Sequence, residues 1–341
     1  MNWKTPARIF LSILCVFASL EATARFYYFG LDGFNPRKMN GFGGIGVSNR
    51  IRLSEDPDIG YELRPNLNTY FQMRRFTTNS QGFRDQEYPL AKPPLTFRVA
   101  VVGASYVMGS GVELEETFHS VLENRLNRER KGTTYEFINM GVGGYSLWRS
   151  LAVLKAKALA YKPDLILFAP TFTGKREDRA PPRPGTLRAI RARRHTLFDS
   201  YFFVTLVKLR IKLWRNESKG KEKVAERVAG EKFHKYLDEA FSELAEIQGK
   251  TGIPICIVFL EHRDKSLELV KETEASARRH GLPLIDTSEP FIRAGFPDNC
   301  AFPFDCHPNA RAHRIFADVI YDFLMKDHLL EKTAKRANRD L

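Results

Sequence analysis

The sequence is poor in the features that mark several protein classes. It has one long apolar run, near its amino terminus, in a composition 43% hydrophobic and 27% charged, which excludes both a multi-span membrane protein and a disordered chain. No internal repeat or low-complexity segment occurs. Although the formal charge is +13 over 341 residues, there is no zinc-like Cys/His spacing, no basic helix with heptads and no aromatic-basic RNP pattern, so nucleic acid is not an expected partner. Much of the basic excess falls between Lys175 and Lys223, which makes it a local feature. Of the four cysteines, Cys15 and Cys256 lie in apolar runs and read as small buried hydrophobes. Cys300 and Cys306 flank a short loop at a spacing that can close a small ring, and in an oxidising compartment they are disulfide candidates.

Within residues 1–31, Ile9 to Leu20 is almost unbroken apolar, with Lys4 and Arg8 before it and Glu21 after. This is an export signal, and its positive flank keeps the amino terminus inside while the bulk of the chain crosses to the periplasmic or extracellular side. The aromatic stretch Phe26 to Phe29 suits the interface of a retained anchor, so the membrane is an expected partner. Ala22-Thr23-Ala24 offers the alternative of cleavage near Ala24 and secretion. Residues 32–94 are rich in Gly, Pro, Asn and Arg without long periodicity, and are expected to form an irregular stalk or subdomain.

From residue 95 to 330 the pattern becomes regular. Phe97 to Gly103, Tyr135 to Met140, Asp164 to Pro170, Ile253 to Leu260 and Leu282 to Asp286 are short apolar runs between breakers, and they read as buried parallel strands. Helical periods alternate with them, one carrying Phe118, Val121, Leu122 and Leu126, another Phe233, Leu237, Phe241 and Leu244. The expected fold is three-layer α/β/α around a five-stranded parallel sheet, with chemistry just beyond the carboxyl ends of the strands.

Three blocks stand at such ends. Gly103-Ala104-Ser105 follows the first strand, where a strand-to-helix turn would direct N–H groups at a developing oxyanion. Asn139-Met140-Gly141-Val142-Gly143-Gly144 follows the second. Asp305-Cys306-His307-Pro308-Asn309 precedes the last helical period, with the parts of a general base and its orienting carboxylate. Spaced in this way, the blocks resemble those of the SGNH (GDSL-like) hydrolases. Gly60 to Asn66 and Thr78 to Arg84 look like the leader region of their membrane-anchored bacterial members. The resemblance implies a flavodoxin-like sheet and a serine esterase or acyl-transferring enzyme that needs no cofactor. It implies Ser105 as nucleophile, His307 as base and Asp305 as its partner, with the Ser105 and Gly144 N–H groups in the oxyanion hole. Its substrate class is an O-acylated carbohydrate at the cell envelope.

Two departures accompany it. Ala104 replaces the Asp of the first block, and Thr173 stands where the third block has its oxyanion-binding Asn. One lost oxyanion donor costs roughly 2.7 to 4 kcal/mol in the transition state. A non-catalytic module binding an envelope glycan or protein partner is therefore an alternative, and a lipid-acting esterase is a second. After the third strand comes a basic insertion, 174–230, whose Arg176 and Arg179 are expected at the rim of the site, where they would attract an acidic or acylated polysaccharide. His119, His262, His280 and His328 lack paired ligands; they read as surface residues, and no metal site is expected.

Overall fold

The structure, a computed structural model, describes residues 4–35, 50–172, 231–262, 267–295, 299–302, 305–326 and 329–330. The insertion 174–230 lies outside the described residues.

Five strands form one parallel sheet: β5 (Thr96–Gly103), β6 (Thr134–Asn139), β7 (Leu165–Ala169), β8 (Ile255–Phe259) and β9 (Leu284–Asp286), in the order β6-β5-β7-β8-β9. Every residue of β7 and β8 is buried, as a sheet covered on both faces requires, and this is why these strands are continuous apolar runs rather than alternating ones. The chain runs outward from β5 to β6 and then returns to β7 on the other side, so the switch in direction falls at β5. Ligands of doubly wound sheets bind beyond that carboxyl edge.

Helices cover both faces. On one, α3 (Phe118–Glu129) and α8 (Ala310–Lys326) bury Phe118, Leu122, Leu126, Phe316 and Ile320 against the sheet. On the other, α4 (Leu147–Ala156) and α5 (Glu231–Thr251) bury Leu151, Leu154, Leu237 and Phe241. The helices α6 (Leu267–Arg279) and α7 (Glu289–Arg293) flank β9. Ser146 caps α4, its side chain accepting the Arg149 N–H. At the amino edge of the sheet the buried Arg98 guanidinium bonds Glu136 at 2.7 Å and the carbonyls of Pro89, Leu90 and Tyr161, which ties the preceding segment to β5.

That segment is not a loose stalk in its described part. The strands β1 (Ile51–Leu53) and β2 (Tyr61–Leu63) pair antiparallel, as do β3 (Asn68–Phe71) and β4 (Arg74–Thr77). Between β3 and β4, Gln72 and Met73 both have positive φ, 48° and 58°, the backbone of a two-residue hairpin turn that matches strand twist. Ile51, Ile59, Tyr61, Leu63, Phe71, Phe76 and Phe83 are buried in the same core as α4 and α5. Strands of three or four residues are too short to show a periodicity, which is why the sequence of this region looks irregular.

At the amino terminus, α1 (Lys4–Phe29) continues into a 3-10 turn, Gly30–Phe34. The stretch Thr5–Phe34 is long and apolar enough to cross a membrane, and none of its most apolar window is buried in the protein. Its foot, however, is docked. Phe29 meets Tyr70 of β3 edge to face at 4.9 Å, the Tyr70 hydroxyl donates to Asp32 at 2.9 Å, and Arg25 donates to the Gly33 carbonyl at 3.1 Å.

Candidate active site

Strand β5 ends at Gly103, and one residue later Ser105 opens α2 (Ser105–Met108), a single turn closed by Gly109 in the left-handed region at φ 78°. With only four residues, α2 contributes little dipole; what matters is its tight geometry. The Gly109 and Ser110 N–H groups both donate to the Ser105 carbonyl at 3.0 Å. The side chain of Ser105 is half-buried.

The loop after β6 packs directly on this turn. A β-carbon on Gly141 would lie 2.5 Å from the Met108 nitrogen, so only glycine permits the two backbones to approach. Asn139, fully buried, accepts the Gly141 N–H at 2.9 Å through its side chain. Gly144 has φ 83°, a left-handed conformation that other residues adopt at a cost. The Tyr61 hydroxyl, from β2, donates to the Gly143 carbonyl at 3.0 Å. Among the described residues, the Ser105 and Gly144 N–H groups make no hydrogen bond, so both remain available to an oxyanion.

The third block lies on a hairpin, β10 (Cys300–Phe302) with β11 (Asp305–Pro308), joined by a disulfide between Cys300 and Cys306. Behind it, the Asn309 side chain caps α8 by accepting the Ala312 N–H at 3.0 Å, and the Asn309 N–H donates to the Asn299 carbonyl at 2.8 Å. This fixes His307, half-buried, at the mouth of the sheet. Tyr106, the residue after Ser105, has its ring edge against His307 at 5.6 Å. Ser105, Gly144 and His307 thus share one edge of the sheet. Asp305 is in β11, paired with Phe302, but its side chain is outside the described residues, as are Thr173, Arg176 and Arg179.

Two histidines read as surface residues are buried instead. His119 sits beside Phe118 on the inner face of α3, and burial, with His313 and Arg84 nearby, pushes its pKa well down. His262 follows β8 and packs against Tyr106 at 5.5 Å and against Phe291 and Phe316. Its Nε2 is 3.7 Å from the Cys306 sulfur. His262, Cys300 and Cys306 together have the donor types of a metal site, their ligand atoms within 4.8 Å of one another. Thiolate is the ligating form of cysteine, and the disulfide removes it, so the oxidised protein has no such site here.

Beneath the two loops lies a buried polar layer that sequence patterns did not reveal. The fully buried Arg84 guanidinium donates to the carbonyls of Met108 (3.0 Å), Gly109, Val112 (2.7 Å) and Arg75 (3.2 Å). Asp85 accepts the Asn139 N–H at 2.8 Å, and burial raises the pKa of its carboxyl well above the usual range. Tyr61 is pushed up to about 12, again by burial, which keeps its hydroxyl protonated and donating. The sequence signals available were only the runs Gly60 to Asn66 and Thr78 to Arg84, whose partners lie far along the chain.

No protein-family model matches this sequence, and no curated protein matches it either. Solved structures do. An α/β hydrolase from the metagenome of Lake Arreo, Spain, matches at 13% identity over 69% of this chain and 96% of its own, with a TM-score of 0.42. A lipolytic G-D-S-L protein from Veillonella parvula matches at 14% identity over 67% and 97%, with a TM-score of 0.40. A two-domain esterase active on acetylated mannans matches at 18% over 68% of this chain but only 49% of its own, with a TM-score of 0.42. Likenesses this distant transfer neither a residue role nor a substrate.

Proposed function

We propose that this chain is a serine ester hydrolase or O-acyltransferase of the SGNH type, with Ser105 as nucleophile and His307 as general base. The observation that carries the reading is the single edge shared by Ser105 and His307, bridged by Tyr106, with the Ser105 and Gly144 N–H groups making no hydrogen bond among the described residues. Ser105 Oγ attacks the acyl carbon and passes its proton to His307, which Asp305 orients. The Ser105 and Gly144 N–H groups, assisted by the Thr173 hydroxyl, hold the oxyanion. Its collapse breaks the ester bond, and the alcohol leaves with the proton from His307. Water or an acceptor hydroxyl then takes the acyl group by the same steps in reverse.

The substrate class we infer is an O-acylated carbohydrate at the cell envelope, on the strength of the three blocks and the leader motif, with Arg176 and Arg179 at the rim. The helix α1 anchors the protein and the domain lies on the outer side. A disulfide beside His307 supports that side, because cytosolic thiol pools keep such pairs reduced. The replacement of Asn by Thr173 favours one second reading, a glycan-binding module with the same fold.

The full chain in detergent is treated with a fluorophosphonate and with a short-chain aryl acetate. Labelling at Ser105, lost in Ser105→Ala together with turnover, is the expected result. Thr173→Asn is expected to raise turnover up to about a hundred- to thousandfold, since a preorganised donor acts mainly on the transition state. Absence of labelling in both the native protein and Thr173→Asn would move the assignment to the binding module.

A further inference from the structure

We infer that Tyr61 and Arg84, from the segment preceding the sheet, are positioning residues for this acyl transfer: Tyr61 orients the Gly144 N–H and Arg84 fixes the Ser105 turn. The inference rests on Ser105 being the nucleophile. The Gly143 carbonyl and the Gly144 N–H belong to one peptide group, which is planar and trans, so the two point in opposite directions. A hydrogen bond that fixes the carbonyl therefore aims the N–H. The Tyr61 hydroxyl makes that bond at 3.0 Å from the buried side, and the polarised amide is a better donor at its other end. A β-carbon on Gly144 would come within 2.9 Å of the same hydroxyl, so nothing larger than glycine fits between them.

The Tyr61 ring is itself held. Tyr145 meets it edge to face at 5.3 Å and donates its hydroxyl to the Tyr61 carbonyl, while the Arg149 guanidinium lies 5.5 Å from the ring centre and donates to the Ile59 carbonyl. Such restraint on one phenol exceeds what filling a core requires.

Arg84 performs the matching task on the nucleophile side. Three of its four acceptors, the carbonyls of Met108, Gly109 and Val112, lie at the end of α2 and in the turn that follows it. No carboxylate pairs with its guanidinium among the described residues; its two terminal nitrogens are held by carbonyls and its plane lies against the Phe76 ring at 4.9 Å, while Nε makes no bond among them. An apolar side chain would fill this volume without desolvating a charge, whereas only a planar five-donor fork collects carbonyls from separate turns. The next residue, Asp85, holds Asn139 and through it Gly141. Nucleophile turn and oxyanion loop are thus gripped by consecutive residues, about 3.8 Å apart along the chain.

The test uses the full chain in detergent, with Tyr61→Phe, which removes one hydroxyl, and Arg84→Lys, which keeps the charge but not the fork. For Tyr61→Phe the expected result is a kcat lower by about ten- to a hundredfold on an aryl acetate, with KM within about twofold. The affinity of a trifluoromethyl ketone, which forms a tetrahedral adduct on Ser105, is expected to fall by the same factor as kcat. A purely structural role would lower the unfolding temperature without moving that ratio. Fluorophosphonate labelling of Ser105 in Arg84→Lys is expected to slow while its extent at completion stays that of the native protein. If Arg84→Lys does not fold, Tyr61→Phe decides alone. Native kcat and ketone affinity in Tyr61→Phe would overturn the inference while leaving Ser105 as nucleophile. A native protein that takes no label at all would overturn both.

Discussion

His313 is wholly buried on α8, and its Nδ1 accepts the Phe118 N–H at 3.3 Å. Burial, with Arg84, His262 and His307 around it, pushes its pKa down to about 3 from 6.5. Between those values the unfolded chain holds a proton that the folded chain does not, so stability from this residue is complete above pH 6.5 and is lost as pH falls toward 3. His119 acts in the same direction. The unfolding free energy of His313→Asn, measured by denaturant titration at several pH values, is expected to fall less steeply on acidification than that of the native protein, by up to about 1.4 kcal/mol per pH unit for one proton. An unchanged slope would show that His313 titrates normally. At this scale the common sheet edge of Ser105, Gly144 and His307 was legible because each stands in a short motif with its own neighbours. Tyr61 and Arg84 were not, since their acceptors lie 82 and 24 residues away. His119 was misread because it adjoins Phe118 at the border of an amphipathic face, where the sequence does not say which way the helix turns.

The hairpin β10-β11 carries two of the residues proposed for catalysis, Asp305 and His307. Its disulfide closes a ring of only a few residues, worth about 2 kcal/mol by chain entropy, so its effect is to stiffen the hairpin locally. On the proposed outer location it is expected to form in the cell. Protein made with its leader and isolated without reductant is expected to resist alkylation at Cys300 and Cys306 until reduced, whereas a form beginning near Arg25 and kept in a reducing cytosol is expected to alkylate at once. Thiols in the leader-bearing protein would remove the claim that the domain lies outside. Elements differ in legibility for a plain reason. The sheet strands, buried on both faces, appear as apolar runs, and all five lie within the stretches expected from sequence to within a residue or two at their ends. The strands β1 to β4 are short and half-covered, and their pairing is set by contacts with the sheet domain.

For the whole molecule, residues 50–94 and the sheet domain share one core and one polar layer, so the two belong to one folded unit. Synthesis reaches this segment first, yet the carbonyls that Arg84 needs, and the one that Tyr61 needs, are in place only after the turns at 108–112 and 139–143 have formed. A guanidinium cannot leave water before those acceptors are in place. The clamp is therefore expected to close late, on the native side of the folding barrier, with its interactions absent from the transition state. Losing them should speed unfolding and leave refolding nearly unchanged. In stopped-flow denaturant jumps on Tyr61→Phe, the change is expected in the unfolding limb alone; a slowed refolding limb would place the clamp in the nucleus. The same hydroxyl that holds the Gly143 carbonyl would then also set how long the folded protein persists.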